Sequence, residues 1–304
     1  MRTVALCVAA TLVALPALPA GPLFAAHEPP HGAWTAGPTT PPPGAERVTF
    51  KSPNPRLKEP VPAVLIRPKG PGPAPAVVLV HPCGGINQTM YDDWASWFVA
   101  RGYIVLVPDS LAPWHQTSVC GNYTPLLTPH TVAHPTLQDA ALDAAGALQF
   151  LRSRPDVIPT QTVLIGWSFG GSIAIIVTST RFAERFARAR YGGFQAAIAV
   201  YPGCGPFKNG TPARGATTPL LLLLGGSDDE AVPDECVKGG LALQSAGDPV
   251  EIHVYPGVTH SFDVPRPSST ETMPNGTVVH TSYNAAATAD AHTRVAKFLD
   301  EHLR

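Results

Sequence analysis

Short, nearly continuous apolar runs recur along the chain. They are Ala63–Ile66, Ala76–Val80, Tyr103–Val107, Thr162–Ile165, Ala196–Val200, Leu220–Leu224 and Val250–Val254. Runs rich in Val, Ile and Leu that do not alternate with polar residues predict strands buried on both faces. Helical spacing separates several of them. Gln138–Arg152 places Ala141, Ala144, Ala145, Leu148 and Leu151 on one stripe. Gly170–Arg181 follows a strand directly, and Asn284–Leu303 aligns Ala291, Val295, Phe298, Leu299 and Leu303. Strand–helix alternation over most of the chain predicts an α/β fold with a mainly parallel central sheet flanked by helices. In such sheets ligands bind beyond the carboxyl ends of the strands, so the residues just after each run carry the functional information.

The start of the chain has a different pattern. Arg2 precedes an apolar run from Val4 to Leu15, and a Pro- and Ala-rich tail extends to Ala26. A basic start, a short apolar stretch and small residues after it describe a secretory signal peptide, with cleavage after Ala20 or Ala26. Pro16 and Pro19 interrupt the run, which is too short to span a bilayer. The expected organisation is a signal peptide over 1–26, a Pro-rich linker over 27–44 and one domain over 45–304. The expected location is periplasmic or extracellular, without stable membrane insertion.

Composition sharpens this picture in a few places. With 304 residues the chain can bury a full core, and 35 prolines argue against long helical bundles. A formal net charge of −1 supplies no field for nucleic acid or anionic lipid. Setting aside Cys7 in the leader, Cys83, Cys120, Cys204 and Cys236 remain. An even number in an exported chain suggests two disulfides, with three pairings open.

The chemistry lies at the strand ends. Gly166-Trp167-Ser168-Phe169-Gly170-Gly171 stands between a predicted strand and a predicted helix. A serine at such a turn sits in a strained backbone with its hydroxyl at a helix N-terminus, and flanking glycines allow close packing. The first amides and the helix dipole favour a developing negative charge there. Ser168 is the candidate nucleophile, and it needs a base. His260 follows a strand in a Gly-containing loop before the last helix, where the base of such a serine belongs. Asp228 and Asp229 both follow the strand Leu220–Leu224, and both qualify as the acid.

Taken together, the chain resembles the dienelactone hydrolase family of the α/β-hydrolase fold. The pieces that carry the likeness are His81-Pro82-Cys83-Gly84-Gly85-Ile86-Asn87, Pro108-Asp109-Ser110 and Asp139-Ala140. To these are added the Ser168 motif, Gly226-Ser227-Asp228-Asp229 with Val232-Pro233, and Tyr255-Pro256-Gly257 with His260 and Phe262. The likeness covers residues 45–304. The family pattern Gly-x-x-Asp-x-x-Val-Pro selects Asp229 as the acid. The family's founding enzymes carry cysteine where this chain has Ser168, so the resemblance implies ester or lactone hydrolysis rather than one named substrate.

The resemblance implies Ser-His-Asp acyl transfer by Ser168, His260 and Asp229 on a small ester or lactone. It also implies an oxyanion hole from the backbone amides of Phe169 and Cys83. The irregular stretch Ser110–Pro135 reads as a cover for the site, and Trp114, Tyr123 and Trp167 are candidate substrate contacts. Asp109 reads as a cap. Adjacent strand ends favour the pairs Cys83–Cys120 and Cys204–Cys236. No cofactor is implied, because neither a P-loop nor a dinucleotide fingerprint is present. No metal is expected from His115, Cys120, His130 and His134, whose spacing matches no compact site. Two other readings compete: a polyester or lipid hydrolase of the same fold, and a non-enzymatic binding module. Nothing in the sequence specifies an oligomeric state.

Overall fold

A computed structural model describes residues 37–120, 134–180, 182, 193–208, 215–216, 218–272, 276 and 278–303. The expected signal peptide and the first part of the linker lie outside these residues. The rest of the expected linker is not loose. The Thr40 N–H donates to Gln88 Oε1 at 2.9 Å, and Gln88 Nε2 donates back to the Thr40 carbonyl at 3.2 Å.

Eight strands form one sheet. In chain order they are β1 (Glu46–Phe50), β2 (Val61–Ile66), β3 (Ala74–Val80), β4 (Ile104–Pro108), β5 (Val157–Trp167), β6 (Ala197–Val200), β7 (Leu220–Gly225) and β8 (Val250–Tyr255). The order across the sheet is β1-β2-β4-β3-β5-β6-β7-β8. The pairs β1–β2 and β2–β4 are antiparallel and the other pairs are parallel. A separate antiparallel hairpin, β9 (Ser269–Thr272) and β10 (Val278–Thr281), follows His260.

The helices explain why the strands lack alternation. Val78 and Val80 of β3 join one core, while Val77 and Leu79 join the other. In β7, Leu222 and Leu224 face the first core, and Leu221 and Leu223 the second. The first is covered by α2 (Leu137–Arg152), α3 (Phe169–Thr178) and α5 (Asp234–Ser245), with the short α4 (Gly205–Lys208) beside it. The second is covered by a helical stretch Met90–Ala95 running into α1 (Ser96–Ala100), and by α6 (Ala285–His302). Both faces of each central strand are thus removed from water, and apolar side chains are required at every position.

Caps mark where helices begin. Thr136 and Asp139 form a reciprocal capping box at α2, and Asn284 Oδ1 accepts the Ala287 N–H at α6. Among the described residues, no helix is long and apolar enough to cross a membrane. Both expected disulfides are present, Cys83–Cys120 and Cys204–Cys236.

Candidate active site

The turn after β5 holds a strained backbone. Ser168 has φ 51° and ψ −110°, a conformation unfavourable for a side chain with a Cβ. Its surroundings hold it there. The Ser168 N–H donates to the Val200 carbonyl on β6, and the Ser172 N–H donates to the Ser168 carbonyl. A Cβ on Gly166 would stand 2.1 Å from the Gly170 carbonyl oxygen, and one on Gly170 would stand 2.1 Å from that of Val80. One on Gly171 would meet Pro202 at 2.9 Å. Gly166 therefore lets the strand meet the helix, and the other two let the helix start against the ends of β3 and β6. The expected strained turn is present, with α3 beginning at Phe169, directly after the serine.

The histidine arrives from the other side. His260 follows β8, is 2% exposed and is locked by the Tyr201 ring at 4.7 Å between centroids. His260 Nδ1 donates to Asp228 Oδ2 at 2.6 Å. The other oxygen of Asp228 accepts the N–H groups of Glu230 at 3.0 Å and Ala231 at 2.7 Å. Both oxygens are therefore satisfied, and the carboxylate is fixed in orientation. Burial alone would lower the His260 pKa, but Asp228 and then Glu230 outweigh it and push it up to about 9.

This overturns the choice of Asp229. Asp229 turns outward and accepts from His280 on β10, through Nδ1 at 2.5 Å and the backbone N–H at 2.9 Å. Burial works against its ionisation, but the His280 contacts hold its pKa below the ordinary value. The physical reason is a difference in length. The turn after β7 closes with the Asp228 N–H on the Gly225 carbonyl, so the first aspartate faces inward. One extra residue then separates that aspartate from Val232-Pro233, compared with the family pattern. Counting from the strand's last residue, rather than back from Val-Pro, finds Asp228.

Two further groups escaped the sequence reading. Glu230 lies on the far edge of the imidazole, with Oε2 3.8 Å from His260 Nε2. Asp263, fully inside, accepts from Trp94 Nε1 and Trp167 Nε1, each at 2.8 Å, and from the Tyr201 hydroxyl at 2.6 Å. Burial raises the Asp263 pKa against the pull of those donors. This carboxylate joins Trp167, the residue before Ser168, to the Tyr201 ring that packs on His260. Its one sequence signal is an acidic residue within the apolar stretch Phe262-Asp263-Val264.

The remaining candidates fall as follows. Trp167 is 2% exposed, bonded to Asp263 and set edge-on to Trp94 at 5.4 Å. Trp114 lies beneath the Arg56 guanidinium at 4.5 Å, and Arg56 is paired with Asp139. Tyr123 and His130 lie outside the described residues. Asp109 Oδ1 accepts the N–H groups of Leu111 and Ala112, as a cap does. Cys83 is held by its disulfide to Cys120, and its carbonyl accepts the Val119 N–H at 2.9 Å. The loop that carries Cys83 is therefore tied at two points.

A buried strand, a strained serine at a helix start, and a histidine paired with a carboxylate from the next-but-one strand define an α/β-hydrolase. The profile of the dienelactone hydrolase family matches residues 61–303, and the chain belongs to that family. Its members are carboxylic ester hydrolases, and that is the class of this enzyme. A protein of Azospirillum brasilense assigned as a carboxymethylenebutenolidase is 27% identical over 201 residues, covering 66% of this chain and 81% of that one. Among solved structures, a Klebsiella pneumoniae protein assigned as a dienelactone hydrolase aligns with a TM-score of 0.61 at 18% identity, over 84% of this chain and 98% of that one. Native esterase 2 of Thermogutta terrifontis aligns with a TM-score of 0.59 at 17% identity, over 86% and 94%. At such identities the structural likeness speaks for the fold.

Proposed function

We propose that the protein is an exported serine hydrolase that cleaves small carboxylic esters or lactones through an acyl-enzyme. The observation that carries the mechanism is the strained Ser168 at the start of α3, together with the His260 Nδ1 bond to Asp228 at 2.6 Å. A hydroxyl is a weak nucleophile at neutral pH, and a base in this order along the sheet is what it requires. In the first step the Ser168 oxygen bonds to the carbonyl carbon while its proton passes to His260 Nε2. The Asp228 carboxylate holds the ring by Nδ1 and stabilises the imidazolium. The tetrahedral intermediate collapses, the bond to the alcohol oxygen breaks, and His260 returns the proton to that oxygen. Water, deprotonated by the same nitrogen, then releases the acid and restores Ser168.

The negative oxygen formed in each step needs donors already in place. The Phe169 and Cys83 amides are assigned that role. The disulfide to Cys120 supports the reading because it holds the Cys83 loop in one position. Two disulfides also suit an oxidising compartment, in line with the leader-like N-terminus.

The test is a series of p-nitrophenyl esters from acetate to palmitate, with Ser168→Ala beside the wild type. Labelling by a fluorophosphonate is located by peptide mass. Hydrolysis abolished in the variant and a label on Ser168 are the expected results. Undiminished turnover by Ser168→Ala would refute the proposed mechanism. A rate that climbs with acyl length would favour a lipid or polyester substrate instead.

A further inference from the structure

The two nitrogens of His260 do not face equivalent surroundings. Nδ1 is bonded to Asp228, as the reaction requires. Nε2 is the atom that must accept the Ser168 proton, yet 3.8 Å away lies Oε2 of Glu230, whose side chain is only 8% exposed. One short segment produces both contacts. The Glu230 backbone N–H donates to Asp228 Oδ1, while its side chain wraps round to the opposite edge of the ring. The imidazole is therefore set between two carboxylates, one on each nitrogen.

We propose that Glu230 is a positioning residue for the base: its carboxylate, 3.8 Å beyond Nε2 of His260, sets the pH at which that nitrogen becomes free to deprotonate Ser168. This rests on the acyl-enzyme reading above. It adds a residue outside the Ser-His-Asp set, and it assigns that residue a function at the reacting edge of the base.

The chemistry has two sides. An opposite charge at this range favours the protonated ring, so more alkaline solution is needed to clear Nε2. The same charge stabilises the imidazolium that forms whenever Ser168 loses its proton, so the base is stronger once it is free. Burial pushes the Glu230 pKa up, while the His260 charge pulls it down. The raised pKa of His260 is in keeping with a carboxylate on each side.

Other charged and titratable groups face this ring and set the sign of each test. Asp228 raises its basicity and is needed for orientation. Arg266, which donates through Nη2 to Thr281 Oγ1 at 3.1 Å, opposes protonation of His260. Tyr201 packs on the ring with its hydroxyl on Asp263 and is held protonated, its pKa raised mainly by burial. Glu271 on β9 acts on Glu230, raising its pKa.

The experiment is the pH dependence of kcat/KM for p-nitrophenyl acetate, and of inactivation by an uncharged sulfonyl fluoride, in the full chain. Wild type, Glu230→Gln and Arg266→Gln are compared, with Ser168→Ala as the control. In the wild type the acid limb is expected on the alkaline side of neutrality. Glu230→Gln is expected to move it down by about one pH unit in both assays, with a lower plateau and an unchanged KM. Arg266→Gln is expected to move it the other way. A fall in activity through lost packing alone would lower the plateau and leave the limb in place.

The proposal is overturned if Glu230→Gln keeps the wild-type limb while melting as the wild type does. If that variant does not fold, Glu230→Asp, whose shorter side chain draws the carboxylate away from Nε2, decides, and a limb that stays in place overturns the proposal. Activity that survives in Ser168→Ala would instead refute the acyl-enzyme reading itself, so the two failures are distinguishable.

Discussion

Replacing each of the two adjacent aspartates by asparagine separates the proposed acid, Asp228, from its neighbour Asp229. Asp228 uses Oδ1 for two backbone N–H groups and Oδ2 for His260 Nδ1. Asparagine has one oxygen. If that oxygen stays on the two amides, the NH2 group faces Nδ1. The ring must then accept there and carry its proton on Nε2, where it cannot take the Ser168 proton. The flipped amide would instead set an NH2 against two N–H donors and lose both bonds, at about 1–3 kcal/mol for each buried group left unpaired. The first arrangement is therefore favoured, and it locks in the wrong tautomer. Such a change in a triad costs on the order of 10^4 in kcat, which is about 5 kcal/mol of barrier. Asp229→Asn removes only a contact to His280 whose side chains are 36% and 57% exposed. A pair of that kind contributes about 0–1 kcal/mol to stability, and kcat should stay within about twofold. The assay is steady-state hydrolysis of p-nitrophenyl acetate, with thermal melting to confirm folding. A loss of about a thousandfold in Asp229→Asn, with Asp228→Asn close to wild type, would refute the assignment.

Three more perturbations probe the frame around the site. Gly170→Ala would place a Cβ 2.1 Å from the Val80 carbonyl, backbone against backbone, so a loss of at least about 3 kcal/mol or failure to fold is expected in urea denaturation. Soluble, fully active Gly170→Ala would show that α3 need not lie so close to β3. Trp167→Phe removes one donor from Asp263 and should lower stability by about 1–3 kcal/mol while leaving KM for short esters unchanged. A KM that rises several-fold, with melting unaffected, would restore Trp167 as a substrate contact. Asp143 is fully buried on α2, and burial pushes its pKa up from 3.8 to about 7. The native state thus holds this proton more tightly than the unfolded chain, and stability from this group falls as pH rises from about 4 to about 7. Asp143→Asn should remove that slope, so its advantage over wild type grows to about 4 kcal/mol by pH 8. A difference that does not change between pH 4 and pH 8 would refute this.

The strands were legible because each has a long-range reason to be apolar throughout. Leu220–Leu224 meets a core on both faces, and no surface strand would keep five leucines in a row. β1 and the β9–β10 hairpin were not legible. Glu46–Phe50 is largely exposed, and Ser269–Thr272 alternates half-buried with exposed residues, so neither leaves an apolar run. Ser168 and His260 could be placed because backbone strain and strand order both leave local marks. Trp167 could not be assigned in this way. Its direction depends on Asp263, which lies 96 residues further along the chain. Glu230 was hidden for a similar reason, since its contact is with a loop that follows a different strand.

The two aspartates show how one extra residue redistributes function around a turn. Side chains that are neighbours in a tight turn point in different directions, so only one of them can reach the ring. Asp228 reaches it because the turn closes on Gly225, the last residue of β7. Asp229 is then left to face β10, where it holds His280, while Ser282 donates its N–H to Thr259 Oγ1 and Arg266 reaches Thr281. These contacts fasten the hairpin beside the histidine loop, and His260 itself bridges to Thr281. The residue after the two aspartates, Glu230, is carried back toward the ring by the same turn. Three successive acidic residues therefore hold His260 by Nδ1, fasten the hairpin and face Nε2. A deletion that restored the family spacing before Val-Pro would disturb all three contacts at once. For that reason single substitutions, rather than loop shortening, are the way to separate these roles.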